Sequence, residues 1–564
     1  MRIEFLTIPE YKNLGSFSIR FDNTQSTTVV LGRNGTGKSN LIEALVEIFR
    51  DLEHNQVPSF AYELAYTCRG RRIDVSADPG RSTKRLTVRV DGESLSVSVF
   101  RDRLEELLPS HVFAYYSGWS DRLERHFDAS TRRHYDAVLN SEGGDLPLRR
   151  LFFCRKEYSQ LVLLAFFLSE TDTAKSLLQD YLRIAAFDSA LFVLKKPWWR
   201  SGAPSASQER TGDPRFWFAR GAFKHFLARL WSHSLAPLRN HESIERDVRR
   251  QAEGVDRLYL YVKSMDDLKG LKSTGESSKE LFGYLESLFL SDLIDEVRVS
   301  VERIDGSFVK FSQMSEGEQQ LLTVLGLMLF TQDDEALYLL DEPDTHLNPV
   351  WTYDFLQLLQ STIRADHGQL IVATHNPLMV GTLRKNQVRV LTRNTDRVAD
   401  DEQADRGRVS VEDRDGVDGT VDSLERREGA TEFMQALEPD YDPLGIGIEG
   451  LLKSELYGLR SSLAPDVLVK LDRQYSLLGR DELTDAEQSE LRSFARYLNS
   501  LGVARTHPNP YFESFANALS RTTSPGGRSG LTRSDLADEA RIADEVLAEI
   551  IAEEGDGPSG IELE

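Results

Sequence analysis

The chain opens on alternating apolar and polar positions. Arg2-Ile3-Glu4-Phe5-Leu6, Ser16-Phe17-Ser18-Ile19-Arg20-Phe21 and Arg85-Leu86-Thr87-Val88-Arg89-Val90 have near period two, which predicts strands. Thr28-Val29-Val30-Leu31 is a β-prone apolar run and predicts another strand, while residues 41–49 predict a helix. Residues 111–116 read as a buried strand closed by the polar turn Ser117-Gly118-Trp119-Ser120. From about 130 to 291 the pattern turns mostly helical, with helix cores at 161–168 and 222–230. Strands return at 296–301, 337–340, 370–374 and 388–391, with an apolar helix at 321–329. Residues 430–519 are helical again, and Ser534 caps a last predicted helix that sets Leu536, Ala540, Ala543, Leu547 and Ile550 on one face. Strands interleaved with helices make this an α/β chain.

Between the strand at 28–31 and the helix at 41–49 lies Gly32-Arg33-Asn34-Gly35-Thr36-Gly37-Lys38-Ser39-Asn40. It fits the phosphate-binding loop G-x-x-x-x-G-K-S without a mismatch. Gly35 and Gly37 let backbone N–H groups approach phosphate oxygens, and the helix start adds positive potential there. The loop residues Arg33, Asn34, Thr36 and Asn40 complete the cradle. Lys38 is placed to reach the β and γ phosphates of ATP, and Ser39 to hold Mg²⁺.

A second constellation lies about three hundred residues later. Leu337-Tyr338-Leu339-Leu340-Asp341-Glu342 is an apolar strand ending in two acids, the Walker B pattern. Asp341 would hold Mg²⁺ beside the loop, and Glu342 would polarise the attacking water. Upstream, Ser315-Glu316-Gly317-Glu318-Gln319 opens the apolar helix, and a serine-capped helix start is a site for anions.

Composition narrows the partners. The chain has 564 residues, 40% hydrophobic and 28% charged, and a formal net charge of −22. A protein that simply coats DNA is usually basic. The local basic clusters 69–72, 84–85, 149–150 and 155–156 read either as solvated faces or as phosphate tracks. The cations and aromatics of 195–200 and 215–218 either stack bases or bury their tryptophans as core. Cys68 and Cys154 are the two cysteines, read as buried thiols and not as a disulfide framework. No apolar run approaches the ~20 residues of a membrane span, and Met1–Leu6 enters a strand without a signal peptide, so a cytoplasmic protein is expected.

The motif order resembles ATP-binding-cassette ATPases. Ser315, Gly317, Glu318 and Gln319 match the cassette signature. Asp344-Thr345-His346-Leu347-Asn348-Pro349 matches the D-loop, with Asn348 where an Asp is more usual. Leu370-Ile371-Val372-Ala373-Thr374-His375-Asn376 ends in the switch histidine, His375, which the resemblance places on the γ-phosphate. No Gln stands at Tyr116-Ser117, the Q-loop region. D-E-P-D-x-H-L-x-P, A-T-H-N-P and Tyr11-Lys12-Asn13-Leu14 are similar to the RecF, SMC and OLD-like branch.

The resemblance implies an ABC-type P-loop NTPase core with a helical insertion and a C-terminal helical domain. Its expected segments are an N-lobe over 1–140, a mostly helical insertion over 141–294 and a C-lobe over 295–395. An acidic linker over 396–429, a helical domain over 430–522 and an acidic tail with a possible docking helix over 523–564 follow. It also implies a homodimer, or a higher homo-oligomer, in which Lys38, Ser39, Asp341, Glu342 and His375 of one chain grip ATP-Mg²⁺ and Ser315 and Gly317 of the other cap it. No strand ending in D-x-D follows residue 391, so the chain is not expected to be a nuclease itself. Residues 450–478 resemble the tail of stand-alone bacterial defence ATPases of the Septu PtuA and restriction-associated kind. That implies ATP hydrolysis that regulates a separate nuclease, of HNH type, in antiphage defence. The alternatives are a DNA-binding repair ATPase of the RecF kind and a regulatory module that uses ATP only as structural glue.

Overall fold

The apolar runs at 28–31, 337–340 and 370–373 become neighbouring parallel strands in the computed structural model. The structure describes residues 1–501 apart from 119, 141–148, 198–205, 221–222, 245–252, 333–334, 365–366, 394–433, 455, 460, 462, 479 and 481–482. Strands are numbered in chain order: β1 (Arg2–Tyr11), β2 (Leu14–Arg20), β3 (Thr27–Gly32), β4 (Tyr62–Cys68), β5 (Arg71–Ala77), β6 (Leu86–Val90), β7 (Glu93–Leu95), β8 (His111–Tyr116) and β9 (Leu151–Phe153). They continue with β10 (Ile184–Lys195), β11 (Leu235–Ile244), β12 (Glu253–Val262), β13 (Ile294–Arg303), β14 (Phe308–Lys310), β15 (Ala336–Asp341) and β16 (Gly368–Ala373).

The larger compact unit holds Met1–Met379 and 433–436. Its parallel strands lie in the order β3-β16-β15-β8-β9. β15 and β16 are buried at every position, as strands covered on both faces must be. The alternating segments form an antiparallel arm, β7-β6-β5-β4-β1-β2, whose neighbours are mostly joined by short turns. The arm is tied to the parallel strands where the Ile3 amide donates to Gln369 Oε1 at 2.6 Å and the N-terminal ammonium pairs with Glu335.

A second, antiparallel sheet runs β11-β12-β10-β13-β14. Three of its strands come from 141–294, so the expectation of a mostly helical insertion is corrected here. The runs at 161–168 and 222–230 do form helices, Tyr158–Phe167 and Phe223–Ser232. However, β10 lies between them as a strand, and β11 and β12 follow the second helix. The period-two signal was present: Leu258, Leu260 and Val262 of β12 are buried on one face. Lys195 pairs with Asp292 at 2.6 Å and Asp295 at 3.2 Å. Trp198 and Trp199 lie outside the described residues. Arg149, read with the surface clusters, is buried in an ion pair with Glu286.

The helix Glu316–Thr331 packs against Tyr158–Phe167, and Gly326 permits the close approach. A Cβ there would fall 2.2 Å from Val162 Cγ1 and 3.1 Å from Phe166 Cζ. Gly326→Ala is therefore expected to lower stability by about 1–3 kcal/mol through overpacking, read from a denaturant melt, despite the better helix propensity of Ala.

The second compact unit comprises 380–432 and 437–564. Its described part has the strand Val388–Arg393 and the helices Gly447–Lys453, Pro465–Leu478 and Asp485–Ser500. The last two pair through Arg473 and Glu490 at 3.1 Å and through Lys470 over the Tyr497 ring. The acidic linker and the tail helix expected behind Ser534 lie outside the described residues. Cys68 and Cys154 are buried free thiols. Among the described residues no helix is long and apolar enough to cross a membrane.

Candidate nucleotide site

Register brings the expected residues to one edge. Asp341, the last residue of β15, stands opposite Tyr116 of β8 and Ala373 of β16, and Ala373 stands opposite Val30 of β3. The P-loop, Glu342, His375 and Ser117 thus all emerge from the C-terminal ends of parallel strands, where α/β sheets place their ligands.

Gly35 and Gly37 adopt φ of 83° and 94°, which favour glycine. A Cβ on Gly37 would also lie 2.7 Å from Leu14 Cδ2. Thr36 is buried, its hydroxyl donating to the Arg33 carbonyl at 2.8 Å, while Arg33, Asn34 and Gly35 form the exposed rim. Asn13, not anticipated from the sequence, braces the loop: its Nδ2 donates to the Gly35 carbonyl at 2.8 Å, and Asn40 donates to its Oδ1. The Lys38 ammonium donates to the Gly32 carbonyl at 2.7 Å and lies 4.0 Å from Glu342 Oε1. Burial pulls its pKa below the ordinary value, opposed by the charges of Glu342 and Asp341.

Asp341 is buried, and burial pushes its pKa up to about 6, although the Ser39 hydroxyl hydrogen-bonds its carboxylate. Its Oδ1 has no hydrogen-bond partner. A buried carboxylate oxygen left unpaired next to a serine hydroxyl suits a hard cation that takes oxygen ligands, so the residues fit Mg²⁺. Ser39 and Asp341 would hold it, and when bound it supplies neutralising charge for a triphosphate.

Glu342 has φ of 52°, strained for a residue with a long side chain, and its amide is pinned to the Ala373 carbonyl at 2.8 Å. Its Oε2 accepts from His375 Nδ1 at 2.7 Å. A carboxylate held between an imidazole and an ammonium can orient a water and take its proton. Thr374 donates to Asp344 at 2.9 Å, and Ser117 and Thr345 hydroxyls meet at 3.1 Å, tying the strand ends to the D-loop.

The signature residues form a separate group. Ser315 caps its helix, accepting from the Glu318 amide at 3.2 Å, and its own amide donates to Glu318 Oε2 at 2.8 Å. Gln319 donates to the Met314 carbonyl at 2.9 Å, and Gln320 to the Pro343 carbonyl. Gly317 sits against the D-loop, where a Cβ would come within 2.6 Å of the His346 carbonyl oxygen. Asn348 caps the helix Pro349–Ser361 through the Trp351 amide at 2.9 Å. The parallel strand order, the P-loop and the Walker B edge are those of a P-loop NTPase core.

Residues 203–381 match the family model described as "AAA domain, putative AbiEii toxin, Type IV TA system". This range holds Ser315, Asp341, Glu342 and His375. This segment is similar to an ATPase-type domain. The Septu protein PtuA of Bacillus mycoides is 26% identical over 220 residues, which span 37% of this chain and only 26% of that protein. The "Retron Vc95 probable ATPase" of Vibrio cholerae is 19% identical over 419 residues, which span 69% of this chain and 73% of that protein. The SMC head domain from Thermotoga maritima aligns at 15% identity over 70% of this chain and 95% of that one, with a TM-score of 0.28, too low to bear on the fold.

One cluster had no sequence signal. Glu43 of the P-loop helix Lys38–His54 is fully buried among Lys12 at 2.6 Å, Arg122 Nε at 3.0 Å, His126 at 3.0 Å and Arg125 at 3.3 Å. Burial alone would raise its pKa, but hydrogen bonds from His126, Lys12 and Arg122 outweigh it and hold the carboxyl well below the usual range. Arg122 also reaches Asn40. The segment after β8, where the Q-loop was expected without its Gln, is therefore clamped to the P-loop helix by arginine.

Proposed function

We propose that this protein hydrolyses ATP within a head-to-tail homodimer and, through that cycle, regulates a separate nuclease in bacterial antiphage defence. The observation that carries the reading is the division of the site. Lys38, Ser39, Asp341, Glu342 and His375 converge on one sheet edge, whereas Ser315 and Gly317 form a helix start of their own, bonded within its own turn and against the D-loop. The first group grips phosphate and cation and activates water. The second offers N–H groups and a hydroxyl to an anion brought by another chain. Binding of two nucleotides would glue the pair, and hydrolysis would release it.

The defence role and the nuclease partner rest on similarity to a Septu protein and a retron ATPase, at low identity. An HNH-type partner, a cytoplasmic setting and direct DNA contact in the assembly belong to the same proposal.

The dimer is tested by complementation. Lys38→Ala and Ser315→Arg proteins should each be inactive alone. Mixed in equal amounts, they should recover about a quarter of wild-type ATPase activity: half the dimers are then mixed, and each mixed dimer holds one intact site of two. A mixture as inactive as its components would count against sites shared between chains.

A further inference from the structure

The signature of this chain carries acid on both sides of Gly317, an unexpected composition for a helix start that must receive a phosphate. Glu318 is the nearer problem. Its carboxylate accepts from both the amide and the hydroxyl of Ser315, at 2.8 and 3.1 Å. The serine has one hydroxyl proton, so it can donate to Glu318 or to a phosphate, not to both. A second anion approaching Ser315 also meets the charge of Glu318.

The structure supplies a cation for this acid from outside the signature. Arg303, the last residue of β13, places Nη1 2.7 Å from Glu318 Oε1, and the pair is largely buried, at 17% and 13% side-chain exposure. The same nitrogen donates to the Leu182 carbonyl at 2.6 Å, just ahead of β10. The Arg303 amide donates to the Ser307 carbonyl at 2.8 Å, closing the β13–β14 turn. The guanidinium is therefore fixed by the second sheet, not by the helix it serves. Glu316, the other acid, pairs with Lys156 at 3.3 Å and His346 at 3.4 Å, but these groups are exposed and well screened.

We propose that Arg303 is a positioning residue for the signature: it holds and neutralises Glu318, so that the Ser315 hydroxyl is free to turn from that acid to the γ-phosphate of a nucleotide held by a second copy of the chain. Glu318 keeps Arg303 and the Ser315 amide when the hydroxyl leaves, so the helix cap survives the exchange. Because Arg303 is anchored between β10 and β13, a shift of the second sheet changes how readily the serine can turn. The inference rests on the two-chain reading above.

The test compares Arg303→Ala, Arg303→Lys, Glu318→Gln and the Arg303→Ala/Glu318→Gln double variant in the full chain. It reads half-saturating ATP, turnover at saturation and ATP-dependent dimerisation. Arg303→Ala is expected to raise half-saturating ATP about tenfold, with turnover at saturation changed less than about threefold. Arg303→Lys should fall between it and the wild type. The double variant should return to within about threefold of wild type, because removing the acid removes the need for its cation. A merely structural arginine would not be rescued in this way. Unchanged ATP dependence in Arg303→Ala, or failure of Glu318→Gln to rescue it, overturns the proposal. If Arg303→Ala does not fold, Glu318→Gln decides alone: it keeps a capping side chain and should saturate at the wild-type ATP concentration or lower, and a tenfold weakening overturns the proposal. Wild-type protein that hydrolyses ATP without dimerising defeats the two-chain reading and this inference together. Wild-type protein that dimerises while Arg303→Ala is silent defeats this inference alone.

Discussion

Glu342→Gln is expected to bind ATP as the wild type does and to hydrolyse it about a thousandfold more slowly. The amide keeps the shape of the side chain and can still meet His375, which lies 2.7 Å from the carboxylate. It cannot take a proton from water. Ground-state binding should persist because Lys38, Ser39 and the P-loop amides are untouched, and losing only the transition-state role lowers turnover without raising half-saturating ATP. Binding should even tighten in appearance, since a dimer that cannot hydrolyse its nucleotide has lost its route to dissociation. Size-exclusion chromatography with ATP and Mg²⁺ should show a stable dimer for the variant and a mixture for the wild type. With EDTA in place of Mg²⁺ the variant should elute as the wild type does without nucleotide, because Ser39 and Asp341 would have nothing to hold. Wild-type turnover in Glu342→Gln would rule out Glu342 as the base. A variant that binds ATP yet stays monomeric would leave hydrolysis intact as an assignment and remove the dimer.

The P-loop and Walker B half of the candidate site is legible in the sequence because its residues sit in short runs with local geometry. Gly35, Gly37, Lys38 and Ser39 span one loop and the helix start that follows it, and Asp341 ends one strand with Glu342 just beyond it. Each run fixes its own backbone, and the parallel register does the rest by aligning the ends of β3, β16, β15 and β8. The signature serine is equally local, since its capping box is a four-residue motif. The strands at 184–195, 235–244 and 253–262 are less legible. Two strong apolar helices flank β10, and weaker alternation between helices is easily read as their continuation. Sequence motifs also do not reveal which cations serve which acids. Arg303 looks like one more charged residue at a strand end until the fold sets it against Glu318. Arg122, Arg125 and His126 carry no motif and lie 79 to 83 positions from Glu43.

That last cluster carries the largest stability effect. Glu43→Ala is expected to destabilise the larger unit by about 3–5 kcal/mol, the cost of breaking a buried ion pair from one side. Glu43 is fully buried, and its removal leaves Lys12, Arg122 and His126 converging on a cavity without a counter-charge. His126 is itself buried, whereas Arg125 is 57% exposed, so Arg125→Ala is the control and should cost less than about 1 kcal/mol. Denaturant melts of the two variants should therefore separate clearly. The sign of the pH dependence is fixed as well. Because the folded Glu43 carboxyl is held below its ordinary value of 4.5, its contribution is complete above that pH and is lost as the pH falls below it toward the depressed folded value. Wild type and Glu43→Ala should thus converge in stability on acidification. The functional consequence follows from Asn40 and Asn13. Arg122 bridges Glu43 to Asn40, Asn40 donates to Asn13, and Asn13 holds the Gly35 carbonyl of the P-loop. A loosened hub should weaken ATP binding even under conditions where the fold survives, and Glu43→Ala with unchanged ATP affinity would show that the clamp serves stability alone.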